Sequence, residues 1–186
     1  MEELHNRAKK IKAVAFDCDG VFFTGQVFVD QENGEQLKVR SLVDGQGISL
    51  LRDSGTRIAF ITAEKTRFID VVVEKLNNLK SVKDGHWPPI ALFSGMMGSG
   101  KVATLEGWLR ENGIMWEECA YMGDDLSDYE VLQKVGLASA PAQAEEIIKQ
   151  NVHFVASRRG GDGAVRDLAN LILKAKGIDV INLRRH

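Results

Sequence analysis

The hexapeptide Phe16-Asp17-Cys18-Asp19-Gly20-Val21 sets two carboxylates, one residue apart, directly behind the run Ile11 to Phe16, which is apolar apart from Lys12. A run of that length and character reads as a buried strand. Side chains at alternate positions of an extended chain point the same way, so Asp17 and Asp19 face one small volume beyond the strand's carboxyl end. Like charges held that close require a cation between them, or one of them must carry a proton. A hard divalent ion with oxygen ligands, Mg²⁺, suits such a pair. Gly20 then lets the backbone turn sharply and approach a ligand. Taken alone, the hexapeptide is explained equally well by an aspartate turn that merely ends a strand.

Further along, short apolar runs alternate with amphipathic stretches. Val27 to Asp30 and Gln36 to Arg40 are extended candidates on either side of Gln31-Glu32-Asn33-Gly34, and Asn-Gly there signals a hairpin, a flap at about residues 26–40. Asp44 is placed to cap a helix carrying Ile48 and Leu51 and stopping at Ser54-Gly55. Arg57 to Ile61 is a second buried strand ending at Thr62, and a helical stripe of Ile69, Val72, Val73 and Leu76 follows from Glu64 onward. Residues 77–89 lose this period and contain Gly85 and Pro88-Pro89, which predicts a loop or insertion. Ile90 to Phe93, Cys119 to Met122, Leu137 to Ala140 and Val152 to Val155 are further strand candidates. Helices are predicted between them around Val102 to Leu109, Leu126 to Val135 and Pro141 to Gln150, with a last one carrying Val165, Leu168, Ala169, Ile172 and Leu173. Strand-helix units repeated in this way predict an α/β fold, a Rossmann-like parallel sheet with helices on both faces.

In such folds the carboxyl ends of the strands open on one edge, where ligands bind. Three of those ends carry Asp17 with Asp19, Thr62, and Asp124 with Asp125 and Asp128, while Lys101 stands at the start of a helix. An aspartate nucleophile, a second acid, a hydroxyl, a lysine and Mg²⁺ are the parts needed to transfer a phosphoryl group to a carboxylate. Alone, Thr62 or Lys101 would be an ordinary strand-end hydroxyl or a solvated helix residue; the acidic motifs give them meaning.

The motifs Asp17-Cys18-Asp19-Gly20-Val21, Ile61-Thr62, Lys101 and Gly123-Asp124-Asp125-Leu126-Ser127-Asp128 resemble, in order, the four motifs of haloacid-dehalogenase-superfamily phosphatases. The resemblance implies that Asp17 attacks phosphorus to form an aspartyl phosphate, and that Asp19 protonates the leaving alcohol and then activates water. It implies that Thr62, Lys101 and the backbone at Gly20 hold the phosphate. Asp17, the backbone carbonyl of Asp19, and Asp124 would bind Mg²⁺, supported by Asp125 and Asp128. A halide leaves without a proton and a sugar alkoxide does not, so Asp19 favours a phosphatase over a dehalogenase. The hairpin, Val43-Asp44-Gly45-Gln46-Gly47-Ile48, and the stretch Arg159 to Arg166 resemble the branch without a separate cap domain. That branch includes the 3-deoxy-manno-octulosonate 8-phosphate phosphatases and the acylneuraminate and deaminoneuraminate 9-phosphate phosphatases. Its members are similar in forming homotetramers in which the hairpin and a neighbour's C-terminal part close the site. Asp44, Glu64 and Arg159 are the implied specificity positions. Ala63-Glu64-Lys65-Thr66 is closer to the Gly-Glu-Lys-Thr of the nine-carbon enzymes than to the Gly-Arg of the eight-carbon ones, which leans the substrate toward a nine-carbon sugar-acid phosphate.

Composition sets the bounds. The 186 residues, 44% hydrophobic and 27% charged, fit one globular domain, residues 1–186. A net charge of −2 provides no general attraction to nucleic acid or to an anionic membrane. Met1 to Lys12 is polar, without the apolar segment of a secretory signal, and no run has transmembrane length. With two distant cysteines, Cys18 and Cys119, a cytoplasmic protein is expected. Two rivals differ in class. Gly95 to Lys101 has the spacing of a nucleotide-binding P-loop, although Val102 cannot supply the Mg²⁺-binding hydroxyl that should follow the lysine. A non-catalytic oligomerisation domain, like those of sugar-acid cytidylyltransferases that resemble this branch, would lack motif acids that this chain retains.

Overall fold

The computed structural model describes residues 2–183. It runs from α1 (Glu2–Lys10) and β1 (Ala13–Phe16) through a tight turn (Cys18–Phe22) to the hairpin strands β2 (Val27–Asp30) and β3 (Gly34–Lys38). Next come α2 (Leu42–Asp53), β4 (Arg57–Thr62), α3 (Arg67–Asn77), α4 (Lys80–Lys83), β5 (Ala91–Ser94) and α5 (Ser99–Glu111). The chain closes with β6 (Cys119–Met122), α6 (Tyr129–Leu132), β7 (Leu137–Ala140), α7 (Glu146–Lys149), β8 (Phe154–Val155) and α8 (Ala164–Ala175). Six strands form one sheet in the order β5-β4-β1-β6-β7-β8, and its pairings are parallel.

The alternation within each strand accounts for both faces being buried. Val14 and Phe16 of β1, Ile58 and Phe60 of β4, and Met122 of β6 share a core with Ile48 and Leu51 of α2, Ile69 and Val73 of α3, and the apolar stripe of α8. Ala13 and Ala15, Ala59 and Ile61, and Cys119 and Tyr121 point the opposite way, against Leu105 and Leu109 of α5, Val131 and Leu132 of α6, and Ile148 of α7. A period of two on a sheet covered on both sides demands this division. From β1 the chain first builds outward through β4 and β5, then returns to lay β6, β7 and β8 on the other flank. The order therefore reverses around β1, and the crevice at such a reversal is where ligands bind in open α/β sheets. Among the described residues no helix is long and apolar enough to cross a membrane.

Several local expectations are corrected. The second hairpin strand is Gly34–Lys38 rather than Gln36–Arg40, because Asp30 Oδ1 accepts from the backbone amides of Glu32 and Asn33 and closes a three-residue loop ahead of Gly34, whose φ is 74°. Asp44 does not cap its own helix. Ser41 does so, accepting from Val43 N, while Asp44 sits buried in the first turn. The third helix starts at Arg67, not Glu64, since Thr62 Oγ1 accepts from Glu64 N and holds that backbone in a turn. The helix expected from Pro141 shrinks to α7, because Ala142 N is bonded to Arg158 O and Ala144 N closes a turn on Pro141 O. Of the apolar stripe expected behind Asp125, Leu126 is 63% exposed, and Val131 makes the core contact instead. Residues 77–89 are ordered by the buried Arg52, which donates to Pro88 O and Leu76 O, and by Trp87 Nε1 donating to Asp53. The N-terminal stretch, expected only to be polar, forms α1, which buries Ala8 and donates from Arg7 Nη1 to Gly136 O.

Candidate active site

Asp17, Thr62 and Asp124 follow or end the adjacent strands β1, β4 and β6, and all three line one cleft of about 500 Å³ together with Asp19, Gly20, Glu64, Lys101 and Asp125. Most of the expected site residues are thus brought together across more than a hundred positions of sequence. Lys101 and Asp128 have no exposed surface, and Asp17 and Thr62 have almost none. Lys101 Nζ donates to Asp17 Oδ1 at 2.8 Å and to Asp128 Oδ1 at 2.6 Å. Tyr121, on the inner face of β6, donates its hydroxyl to the same Asp128 oxygen at 2.7 Å. Asp128 Oδ2 accepts from Asp124 N. Both oxygens of Asp128 are thereby engaged within the protein, and its place is to fix Lys101 and the backbone of Asp124.

Gly20 explains how the two acidic motifs meet. Its φ is 79°, which an L side chain rarely adopts, and a Cβ at this position would collide with the Asp124 carboxylate. Gly160 is subject to the same constraint from the other side, where a Cβ would run into Gly20 O. Gln143 bridges the two segments, donating to Gly20 O at 2.6 Å and accepting from Gly160 N at 2.8 Å. Gly161 N donates to Val21 O. Behind that loop Asp44 caps α8, accepting from Gly163 N and Arg166 N. Asp44 therefore supports the loop from beneath and does not line the cleft. Arg159 is exposed and outside the cleft lining as well.

Electrostatics mark the place of an ion. Carboxylate oxygens of Asp17, Asp124 and Asp128 lie within 4.8 Å of one another. With three carboxylates against the one ammonium of Lys101, the ionised cluster would carry two uncompensated negative charges. Burial, reinforced by the charge of Asp128, pushes Asp17 up to about 7 despite Lys101. Burial and then the charge of Asp17 push Asp124 up to about 8. Burial opposes the charge of Lys101, yet Asp17 and Asp128 hold its pKa above the usual range. Carboxylates strained in this way are relieved either by protons or by a hard cation with oxygen ligands. Because Asp128 is engaged, Asp17 and Asp124 are the carboxylates with oxygens to offer. The site fits a divalent ion.

The P-loop-like spacing does not yield a phosphate-wrapping lysine, since Lys101 is buried in α5 and engaged by two carboxylates. Tyr121, Gln143 and Lys38 were missed from sequence. Lys38, near the end of β3, donates to Asp19 Oδ1 at 2.7 Å. Position in the hairpin offered the only signal for Lys38; Tyr121 and Gln143 have none outside the folded chain.

Comparison with known proteins agrees with this geometry. The family model of the haloacid dehalogenase-like hydrolases matches residues 6–167. A 3-deoxy-D-manno-octulosonate 8-phosphate phosphatase of Salmonella typhi is 33% identical over 171 residues, covering 92% of this chain and 84% of the relative. The solved structure of the phosphatase of that name from Yersinia pestis is 31% identical, with a TM-score of 0.81 over 95% of this chain and 88% of that one. Another, from Moraxella catarrhalis in complex with magnesium, phosphate and KDO, is 30% identical, with a TM-score of 0.83 over 95% and 94% of the two chains. With its motif acids assembled at the reversal of the sheet and the family model spanning both acidic motifs, this chain belongs to the haloacid dehalogenase-like hydrolases.

Proposed function

We propose that the protein is a Mg²⁺-dependent phosphatase of a sugar-acid phosphate, working through an aspartyl phosphate on Asp17. The observation that carries this reading is Asp17 itself: a buried carboxylate at the floor of an open cleft, oriented by Lys101 and flanked by Asp124. In the first step an Asp17 oxygen bonds to phosphorus while the ester P–O bond breaks, and the departing sugar oxygen takes a proton from Asp19. In the second, water gives a proton to Asp19 as it attacks phosphorus, the acyl P–O bond breaks, and inorganic phosphate leaves. Thr62 and the backbone around Gly20 line the same cleft as phosphate donors, and Lys101 keeps Asp17 in place. Asp17 and Asp124, with the backbone carbonyl of Asp19, would hold Mg²⁺, which neutralises charge on the phosphoryl oxygens when bound.

The hairpin is read as a flap over this cleft. An extra residue, Gln36, separates the pairings Phe28↔Leu37 and Val29↔Glu35. That bulge brings both Glu35 and Lys38 to the cleft side. Phe28 and Leu37, paired across the strands, face outward and are each 60% exposed. An apolar hairpin face this exposed calls for a partner, and a homotetramer of this chain is the proposed one. The buried free thiols Cys18 and Cys119 accord with a reducing cytoplasm.

The relatives' names favour the eight-carbon acid, 3-deoxy-manno-octulosonate 8-phosphate, as the substrate. Glu64 favours a second reading, the nine-carbon sugar-acid phosphates: it lies at the cleft mouth, outside the helix, where its carboxylate can accept from substrate hydroxyls. Measuring kcat/KM for both phosphates on the wild type and on Glu64→Arg tests this. A wild-type preference for the eight-carbon substrate that Glu64→Arg leaves unchanged removes the second reading; a nine-carbon preference that the mutation narrows establishes it. Failure of either phosphate to turn over faster than a general phosphosugar panel would refute the sugar-acid assignment.

A further inference from the structure

Resting on the phosphatase reading above, we infer that Lys38 is a positioning residue for proton transfer, holding Asp19 in its working orientation and tying the hairpin flap to the acid. Lys38 Nζ donates to Asp19 Oδ1 at 2.7 Å, and its side chain is 4% exposed although it stands on a hairpin that is otherwise open to solvent. Its second acid, Glu35, is more distant at 3.9 Å, and the ammonium lies 5.4 Å from the centre of the Phe68 ring. Three groups from three segments thus fix one ammonium: Asp19 behind β1, Glu35 on β3, and Phe68 on α3. The other lysine of the cleft, Lys101, is committed to Asp17 and Asp128, so neither does the work of the other.

The bulge at Gln36 makes this possible. Three positions apart on a regular strand, Glu35 and Lys38 would point to opposite faces; one extra residue puts both toward the cleft, opposite Val29 and Val27. The contact then chooses between the two oxygens of Asp19. An oxygen that accepts from an ammonium is a poor place for a proton, so the proton delivered to the leaving oxygen is carried on Oδ2, and Oδ2 is the atom kept free for substrate. In the forward step that proton passes to the sugar oxygen as its bond to phosphorus breaks; in hydrolysis the same oxygen recovers a proton from water. Without Lys38 the carboxylate can rotate, and the acid is present but not aimed.

The test is the dependence of kcat/KM on leaving-group pKa, across substituted phenyl phosphates and an alkyl phosphate, all without a carboxylate. This ratio reports the first step, before water enters. Positioned general acids contribute about 10²–10⁴-fold, chiefly for leaving groups that need the proton. Lys38→Met is expected to slow the alkyl phosphate by about 10²-fold and p-nitrophenyl phosphate by less than about 3-fold, with Lys38→Arg restoring most of the loss. Asp19→Asn should steepen the dependence in the same way, and adding Lys38→Met to it should change little more. An equal loss across the series would make Lys38 merely structural, and no loss would limit it to binding a substrate carboxylate; either overturns the inference. If Lys38→Met melts below the assay temperature, Lys38→Gln carries the same comparison. A wild type inert toward every ester would remove the phosphatase reading itself, whereas an active wild type with an unchanged slope in the mutant removes only the role of Lys38.

Discussion

Replacing Lys101 with methionine keeps the bulk of the side chain and deletes one ammonium from a place with no solvent. Two hydrogen bonds to carboxylates disappear, at 2.8 Å to Asp17 and 2.6 Å to Asp128. Hydrogen bonds to charged groups contribute about 1.5–3 kcal/mol each, and removing one partner of a buried ion pair costs about 3–5 kcal/mol. We expect a loss of about 3–5 kcal/mol at about pH 8.5, where Asp17 would otherwise be ionised, against a total stability on the order of 5–15 kcal/mol. Near pH 6 the loss shrinks, because Asp17, already pushed up to about 7, accepts a proton and no longer needs the cation. For a chain of this size the loss at about pH 8.5, about 3–5 kcal/mol, corresponds to a fall in Tm of roughly 6–20 °C. Urea unfolding at both pH values checks it, read as a shift of the midpoint at constant slope. The double mutant Lys101→Met/Asp128→Asn should lose less than the two single mutants added together, since each removes part of the same network. A loss under about 1 kcal/mol at both pH values, typical of a surface lysine, or strict additivity in the double mutant, would refute the buried-triad reasoning.

Other outcomes follow from the same cluster. Asp124→Asn should weaken Mg²⁺ binding, so that added Mg²⁺ recovers part of its activity, while Asp19→Asn should stay slow at saturating Mg²⁺; the opposite pattern in a Mg²⁺ titration would reverse the two roles. Asp17 and Asp124 have native pKa values near 7 and 8 against an ordinary 3.8, so between about pH 4 and pH 8 the metal-free native state binds more protons than the unfolded chain and its stability falls as pH rises. Mg²⁺ displaces those protons, so the rise in Tm on adding it should be larger at about pH 8.5 than at about pH 6; an equal or inverted effect contradicts the assignment of ligands. Paired substitution of Phe28 and Leu37 by glutamate should convert the proposed tetramer to a monomer in light scattering, and a wild type already monomeric and fully active at assay concentration would remove the tetramer.

How much of this was legible before folding depended on whether the signal was local. The strands and helices rest on apolar runs and amphipathic stripes, which are local properties, so the strand that ends at Thr62 and the stripe of α8 could be read directly, whereas the strand order and its reversal at β1 could not. The acids at strand ends are local too, and parallel topology puts them on one edge, where the pairing of β6 with β1 makes Asp17 and Asp124 neighbours. What escaped were residues whose remote partner no motif marks. Asp44 reads as a cap for its own helix, yet it caps α8, over a hundred residues away. Tyr121 belongs to an apolar run, and only folding shows its hydroxyl meeting Asp128. Lys38 became visible only once a bulge had reversed the face on which it sits. Glu64 stands where the helical stripe was expected to begin, and the bond from its own amide to Thr62 places it ahead of the helix and at the mouth.

The most direct test of the chemistry is a rapid acid quench of the enzyme turning over, with Mg²⁺, whichever of the two sugar-acid phosphates it hydrolyses faster, followed by mass analysis of the peptide that contains Asp17. A phosphoryl group on Asp17 in the wild type, absent from Asp17→Asn together with phosphate release, is the predicted result. Phosphate release by Asp17→Asn at the wild-type rate, with no phosphoryl group on this peptide in either protein, would contradict it.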